Sequence, residues 1–446
     1  MKPFRCRPAR RFRGVVDLPG DKSIAHRSII ISAIAEGKTV IGNFPLNQDC
    51  LRTLNAFRAL GIRITIKHPA AARSKAAEIT VTGKGLTGLR RPGRQIFAGE
   101  SGTTFRLMLG ILAGQDFKSV LTASESLSHR PMSRVTIPLR MMGAAIKARI
   151  PASREATEEY PPVRIKGGNL KGITYRMPVA SAQVKSAILL AGLFAQGRTC
   201  VIDPFNTRDH TERMLKLFKA GLKSLKNKTV IENGQELSSP GKIRIPGDIS
   251  SAGFFIVPAI ILPDSEVLIR GAGLNTTRTG LLKVLKRMGA NLKFSGRPTG
   301  FEPCGDIIAR SSSLKGTVVR RGEIPLLIDE LPVLMVAACF ARGKTVLEGV
   351  AELRIKETDR VRSMCRNLAG MGADIQVRRS AGRENIIIKG TKVLNGSRVM
   401  SYGDHRTAMS MVVAGLAAQG ETLIDDISCI SKSFPDFLRV FRPLIS

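Results

Sequence analysis

Along the chain, apolar and polar positions fall into one recurring shape. Ser181 opens SAQVKSAILLAGLFAQGRTCVID, Asp329 opens DELPVLMVAACFARGKTVLEG and Asp404 opens DHRTAMSMVVAGLAAQGETLIDD. The shape begins again at Asp21 (DKSIAHRSIIISAIAEGKTVIGN) and at Ser101 (SGTTFRLMLGILAGQDFKSVLTA), and a degraded copy, GDISSAGFFIVPAIILPDSEVLIRG, begins at Gly247. Each copy has a polar start, an Ala/Leu/Ile-rich stretch of about 12–15 residues, a breaker and a short β-branched run, which predicts helix, stop and strand. The stretches are apolar nearly all round, so these six helices are expected to be buried.

A second helix, alternating charged and apolar groups, follows in five of the six copies and ends on Gly61, Gly143, Gly221, Gly289 or Gly372. A parallel ladder, Gly37, Gly114, Gly197, Gly343 and Gly420, closes the first helices. Both ladders step by roughly 70–80 residues, with one double step where the fourth copy lacks its glycine. Six α/β units follow, three to each globular half, with the second helices on a surface. PGD occurs at Pro19–Asp21 and at Pro246–Asp248, ahead of units one and four. Pro-Gly is turn chemistry, so both are expected crossing points between two lobes with a cleft. Lys216, Lys219, Lys223 and Lys226 recur at helical spacing and read as one solvated helix face.

Length and composition agree with at least two domains. A chain of 446 residues with 43% apolar content exceeds a single core. The longest apolar stretch, Phe254 to Leu262, is interrupted by Pro258 and too short to span a bilayer. Met1 to Arg13 is Arg-rich with no apolar run behind it, so cytoplasm is expected. Seven scattered cysteines without CxxC spacing argue for reduced, mostly buried thiols rather than disulfides or zinc. The net charge of +35 raises the possibility of a nucleic-acid binder. Zero Trp, three Tyr and the lack of a nucleic-acid module argue against it. Small anionic ligands account for part of the charge.

The polar starts of the buried helices carry the chemistry. Lys22-Ser23 with Arg27, Gly102-Thr103-Thr104 with Arg106, Ser181-Ala182-Gln183, Asp329-Glu330 and Asp404-His405-Arg406 precede or open such helices. Ser, Thr and Asp there could be ordinary caps. Caps do not explain Lys22, Arg27, Arg106 and Arg406, since cations oppose the positive end of a helix dipole. An anion gathered among them explains the set. His129 to Arg134 reads as a loop ahead of a helix, and Arg354 to Arg362 crowds charged and hydroxyl groups around another helix start.

PGDKSIAHR, SGTTFRLM, HRPMSR, SAQVKSA, TRDHTE, IDELP, ELRIKETDR, GDHRTAM and SKSFPDF, in this order and spacing, resemble the 5-enolpyruvylshikimate-3-phosphate synthase family from Pro19 to about Phe437. The resemblance implies a two-lobed, inside-out α/β fold: six βαβαββ repeats, three per lobe around buried parallel helices. One lobe would comprise residues 1–19 with 248–446, the other 20–247. It implies transfer of the enolpyruvyl group of phosphoenolpyruvate to the 5-hydroxyl of shikimate 3-phosphate, with phosphate released and no metal or organic cofactor. It implies contact of shikimate 3-phosphate with Lys22, Ser23, Arg27, Ser181, the Ala182 backbone, Gln183, Arg208 and Asp329. For phosphoenolpyruvate it implies Lys22, Gly102, Arg130, Gln183, Arg360, Arg406 and Lys432, with Lys356 between the two ligands. Asp329 and Glu357 are the expected proton-transfer carboxylates, Asp329 favoured at the hydroxyl and Lys22 sharing the proton handling. A monomer in the cytoplasm, without membrane or nucleic-acid partners, completes the expectation.

Two departures from the family pattern stand out. Glu100-Ser101 replaces the Asn often found ahead of the Gly-Thr pair, and the added carboxylate is expected to pair with a neighbouring Arg. Gly102 is retained where a glyphosate-tolerant branch has Ala, which implies sensitivity to that herbicide. The sister transferase acting on UDP-N-acetylglucosamine is the alternative within enzymes. It carries a reactive Cys five residues before its Arg, and here that position is Glu125. A non-catalytic anion-binding protein on the same fold is the alternative from another class.

Overall fold

The structure, a computed structural model, describes residues 3–68, 76–151, 158–232, 236–297, 300–380, 382–391 and 393–446. The chain divides into two compact units, Met1–Asp21 with Pro246–Ser446, and Lys22–Ile245. The six buried helices are α1 (Lys22–Ala33), α2 (Gly102–Ala113), α3 (Ala182–Gly192), α4 (Ile249–Ile261), α5 (Leu331–Cys339) and α6 (His405–Leu416). All residues of α5 and α6 are buried, the polar His405, Arg406, Thr407 and Ser410 of α6 included. In one unit α2 packs on α1 and α3; in the other α4, α5 and α6 pack on one another. Gly110 permits the α2–α3 approach, since a Cβ there would lie 2.3 Å from the Ala187 carbonyl oxygen.

Five copies build the same four-stranded sheet. In the second, Ile96–Phe97 runs parallel to Lys118–Thr122, which pairs antiparallel with Tyr160–Lys166, itself antiparallel to Ala145–Arg149. That is βαβαββ, with α2 between the parallel strands, which need a crossover to connect them. The first strands of copies one and four are exchanged along the chain. Lys242–Arg244, from the end of the Lys22–Ile245 unit, lies parallel to Lys38–Phe44, and the N-terminal Arg13–Asp17 lies parallel to Glu266–Gly273. The sixth copy is reduced: Arg398–Val399 pairs parallel with Thr422–Ile424, whose other edge is closed antiparallel by Phe4–Cys6. The two crossings lie against each other, Asp21 N–H donating to Pro246 O at 2.8 Å and Asp248 N–H to Pro19 O at 3.0 Å.

The glycine ladders have a conformational cause except at Gly114 (φ −90°) and Gly221. Gly37 (φ 95°) and Gly61 (φ 84°) take the left-handed conformation that ends a helix, where a side chain would be strained. At Gly221 the ladder is displaced: the left-handed residue after His210–Leu217 is Lys219, φ 64°. This corrects the lysine reading. Lys216 is helical, but Lys219 is in the turn, Lys223 in strand Leu222–Leu225 and Lys226 in the hairpin turn. The four are exposed without sharing a helix face. Among the described residues no helix is long and apolar enough to cross a membrane. All seven cysteines are free thiols, five of them buried.

Candidate functional site

In the Lys22–Ile245 unit the helix starts hold a connected polar layer. Ser101 caps α2 by accepting from Thr104 N, and Ser181 caps α3 by accepting from Val184 N. Behind those caps the Arg106 guanidinium donates to Gln183 Oε1 at 2.6 Å and to Pro131 O at 3.0 Å. Gln183 Nε2 donates to Thr103 Oγ1 at 2.8 Å, so its amide is fixed at both ends. Arg106 therefore joins α2, α3 and the loop carrying Arg130. Gly102 opens α2, and a Cβ there would lie 3.1 Å from Arg106 Nη1 and 3.3 Å from Arg130 Nη1.

Along α1, Lys22 Nζ donates to Asp49 Oδ2 at 2.9 Å, and Arg208 Nη1 reaches Ser23 Oγ at 3.3 Å. Arg27 is buried and donates to Thr211 Oγ1, Ser23 O and Ser186 Oγ at 2.7, 2.9 and 2.7 Å. Its fork is thus aimed by three neutral oxygens. Behind this layer Lys185 Nζ lies 3.1 Å from Asp203 and 2.7 Å from Glu212, with 4% of its side chain exposed. Burial opposes its charge, but those carboxylates outweigh it and hold the ammonium above its ordinary range.

The other unit centres on Asp329, just ahead of α5, with 18% of its side chain exposed. Three guanidinium groups surround its carboxylate. Arg360 Nη1 is 3.6 Å from Oδ1; Arg406 Nη2 and Arg278 Nη1 are 3.8 and 4.0 Å from Oδ2. Arg406 Nη1 also donates to the Asp329 carbonyl at 2.8 Å. Arg360 is buried and donates to Asp404 Oδ2 at 2.9 Å and Glu357 Oε2 at 2.6 Å. Burial works against its charge, but Asp404, Glu357 and Asp329 outweigh that and raise its proton affinity. Burial likewise disfavours the Asp404 carboxylate, yet Arg360 and then His405 hold it below its usual range. Asp404 also caps α6, accepting from Arg406 N and Thr407 N, and so fixes the Arg406 backbone. Lys432 Nζ donates to Gly403 O at 3.1 Å, beside that start. Lys356 and Glu357 lie in the turn before helix Arg360–Gly370.

Residues 6–441 match the EPSP synthase (3-phosphoshikimate 1-carboxyvinyltransferase) family. The chain belongs to this family. A relative from Desulforamulus reducens, named 3-phosphoshikimate 1-carboxyvinyltransferase, is 46% identical over 439 residues, 98% of each chain. One of the same name from Desulforudis audaxviator is 47% identical over 442 residues, 99% of each. The solved structure of EPSP synthase from Acinetobacter baumannii matches with a TM-score of 0.85 at 42% identity, over 100% of this chain and 98% of that one. The inside-out α/β fold expected from the EPSP synthase motifs is thus present, as its repeats are in the sheets.

Within each unit the structure brings the EPSP synthase motif residues together: Lys22, Ser23, Arg27 and Arg208 around the start of α1; Gly102, Arg130 and Gln183 around α2 and α3; Asp329, Glu357, Arg360, Arg406 and Lys432 around α5 and α6. Ser181 and Ala182 are the cap and first residue of α3. The motifs omit Arg278, the third cation on Asp329. Its signal was the one that marked Arg27 and Arg106, a cation within a turn of a helix start, here ahead of Gly280–Arg287.

Proposed function

We propose that this chain transfers the carboxyvinyl group of phosphoenolpyruvate to the 5-hydroxyl of shikimate 3-phosphate and releases phosphate. The observation that carries the reading is the Asp329 carboxylate ringed by Arg278, Arg360 and Arg406 in a chain of the EPSP synthase family. Cations at this range favour the ionised carboxylate, which can then accept the hydroxyl proton. The hydroxyl oxygen bonds to the enol carbon while the methylene takes a proton, giving a tetrahedral intermediate. Loss of a methyl proton and cleavage of the carbon–oxygen bond to phosphate regenerate the enol ether. Glu357 is proposed for the methylene proton, held 2.6 Å from Arg360, with Lys22 sharing the proton handling.

In the unit of α1–α3 we assign Lys22, Ser23, Arg27, Ser181, the Ala182 backbone, Gln183 and Arg208 to shikimate 3-phosphate, and Lys22, Gly102, Arg130 and Gln183 to phosphoenolpyruvate. In the unit of α4–α6 we assign Asp329 and Lys356 to the first ligand, Arg360, Arg406 and Lys432 to the second. Planar Arg forks suit carboxylate and phosphate two bonds at a time, while Lys serves as a compact charge. The proposed enzyme is a cytoplasmic monomer sensitive to glyphosate.

Phosphate release from the two substrates, wild type beside Asp329→Ala, tests the reading. Release that requires both substrates and collapses in Asp329→Ala is expected. No release from wild type overturns it, and recovery of release in Glu100→Asn would then assign the loss to that carboxylate.

A further inference from the structure

Arg278 belongs to none of the motifs and to none of the substrate contacts assigned above, yet it is as deeply placed as Arg360. Only 4% of its side chain is exposed. Its Nη2 donates to Ser250 Oγ at 2.6 Å and lies 3.6 Å from Glu330, 3.7 Å from Asp21 and 3.8 Å from Asp248. Ser250 in turn donates to Glu330 Oε1. Asp21 and Asp248 end the two PGD turns, where the chain passes from one unit to the next. One guanidinium therefore ties both crossings to Asp329. Four carboxylates lie within 4.0 Å of this one guanidinium. Burial alone would depress its proton affinity, but Glu330, Asp21, Asp248 and Asp329 together keep it charged.

The three cations on Asp329 differ in what else they are asked to do. Arg360 and Arg406 are assigned to phosphoenolpyruvate, whose carboxylate and phosphate compete with Asp329 for their donors once it binds. Arg278 has no such assignment, and its remaining partners are protein carboxylates and Ser250. Resting on Asp329 as the hydroxyl base, we infer that Arg278 is a positioning residue that keeps Asp329 ionised and aimed while the other two guanidinium groups serve the donor. It touches no substrate in this scheme, so its effect falls on the rate step and its pH dependence rather than on ligand binding.

The charged groups facing Asp329 include Arg278 from the turn before Gly280–Arg287, Arg360 from the helix it opens, Arg406 from α6 and Glu330 beside it in the chain. Behind them stand Asp21 and Asp248 on Arg278, and Glu357 and Asp404 on Arg360, with His405 next to Asp404. Removing a cation from this set raises the pH at which Asp329 loses its proton; removing an anion from Arg278 lowers it. Two variants of opposite sign are therefore available. Arg278→Gln deletes the charge. Glu330→Gln retains the guanidinium and removes one of its competitors, and the Gln oxygen can still accept from Ser250.

The experiment is the pH profile of kcat and of both KM values, from phosphate release, for wild type, Arg278→Gln, Arg278→Lys and Glu330→Gln, with melting temperatures recorded in parallel. Arg278→Gln should lower kcat about 10- to 100-fold and move the acid limb of its profile up by about one pH unit, with both KM values within about threefold. Arg278→Lys should restore most of the rate and return the limb; Glu330→Gln should move the limb down. Should Arg278→Gln fail to fold, Glu330→Gln decides alone, since it keeps the guanidinium in place. An unmoved limb in folded Arg278→Gln or Glu330→Gln overturns the inference, as does a raised KM at unchanged kcat in Arg278→Gln, which would make Arg278 a ligand contact. A wild type that releases no phosphate, or an Asp329→Ala that releases it normally, instead removes the function or the base assignment underneath.

Discussion

Replacing Gly102 by Ala tests the donor assignment with one methyl group. Gly102 lies outside the left-handed region, so Ala can adopt its backbone, and it opens a helix where Ala is the better former by up to about 1 kcal/mol. Its Cβ would sit 3.1 Å from Arg106 Nη1 and 3.3 Å from Arg130 Nη1, against a comfortable separation of about 3.5–4.0 Å. Each guanidinium must retreat by a few tenths of an ångström. Arg106 is pinned by Gln183 and Pro131, and moving it strains those two hydrogen bonds. Displacing a charge-assisted fork by that amount forfeits about 1–3 kcal/mol of its grip on an anion, a rise in phosphoenolpyruvate KM of about 5- to 150-fold. Folding should be unaffected, because only side-chain tips are pushed. Initial phosphate-release rates over a grid of both substrates separate the two KM values, and a thermal melt checks the fold. Glyphosate tolerance should rise together with the donor KM. A phosphoenolpyruvate KM within twofold of wild type, or a shikimate 3-phosphate KM rising in step with it, would refute the reasoning.

Other outcomes follow from groups away from that methyl. Lys185→Met strands Asp203 and Glu212 in the interior and should cost about 3–5 kcal/mol in urea unfolding; a loss below 1 kcal/mol would mean that water reaches them. Burial and the Asp21 charge push Asp248 up to about 6 in the folded chain, against about 3.9 unfolded. Between those values the folded state holds a proton the unfolded state has lost, so the contribution is complete below pH 4 and disappears as pH rises through 6. Wild type should accordingly lose stability relative to Asp248→Asn between pH 4.5 and 7, by about 2 kcal/mol; a constant difference would contradict the assignment. Burial pushes the Cys6 and Cys339 thiols up to about 12, so both should resist a thiol reagent at pH 8 until denaturant is added. Phe255 stacks with Phe12, Phe434, Phe437 and Phe441, and Phe255→Ala should cost about 3–5 kcal/mol by chemical denaturation.

The buried helices were legible because a helix enclosed on every side must be apolar on every side, a pattern no surface helix shows. The glycine steps were legible for a backbone reason, at Gly37 and Gly61 alike. Spacing failed at the lysines because a three- or four-residue interval survives when a helix gives way to a turn and a strand, as it does after Leu217. The exchanged strand Lys242–Arg244 was invisible for a different reason. Three residues carry no periodicity, and its partner Lys38–Phe44 is on the far side of two complete copies. In the helix-start clusters, residue type alone exposed Arg27, Arg106 and Arg406. Arg278 escaped because its meaning depends on Asp21, Asp248 and Glu330, which only the folded chain assembles around it.

The pairing of Phe4–Cys6 with Thr422–Ile424 has a consequence for how the protein is made. On the ribosome the first strand emerges with no partner, and the one it needs follows more than four hundred residues later, about 20–80 s at ordinary elongation rates. In that interval Lys22–Ile245, including the returning strand Lys242–Arg244, can be completed within itself. Arg5, Arg7, Arg10, Arg11 and Arg13, all exposed in the finished fold, keep the waiting segment charged, while Phe12, buried in that fold, waits in water with them. Translation order thus favours one unit finishing first and the other closing only when the last strand arrives.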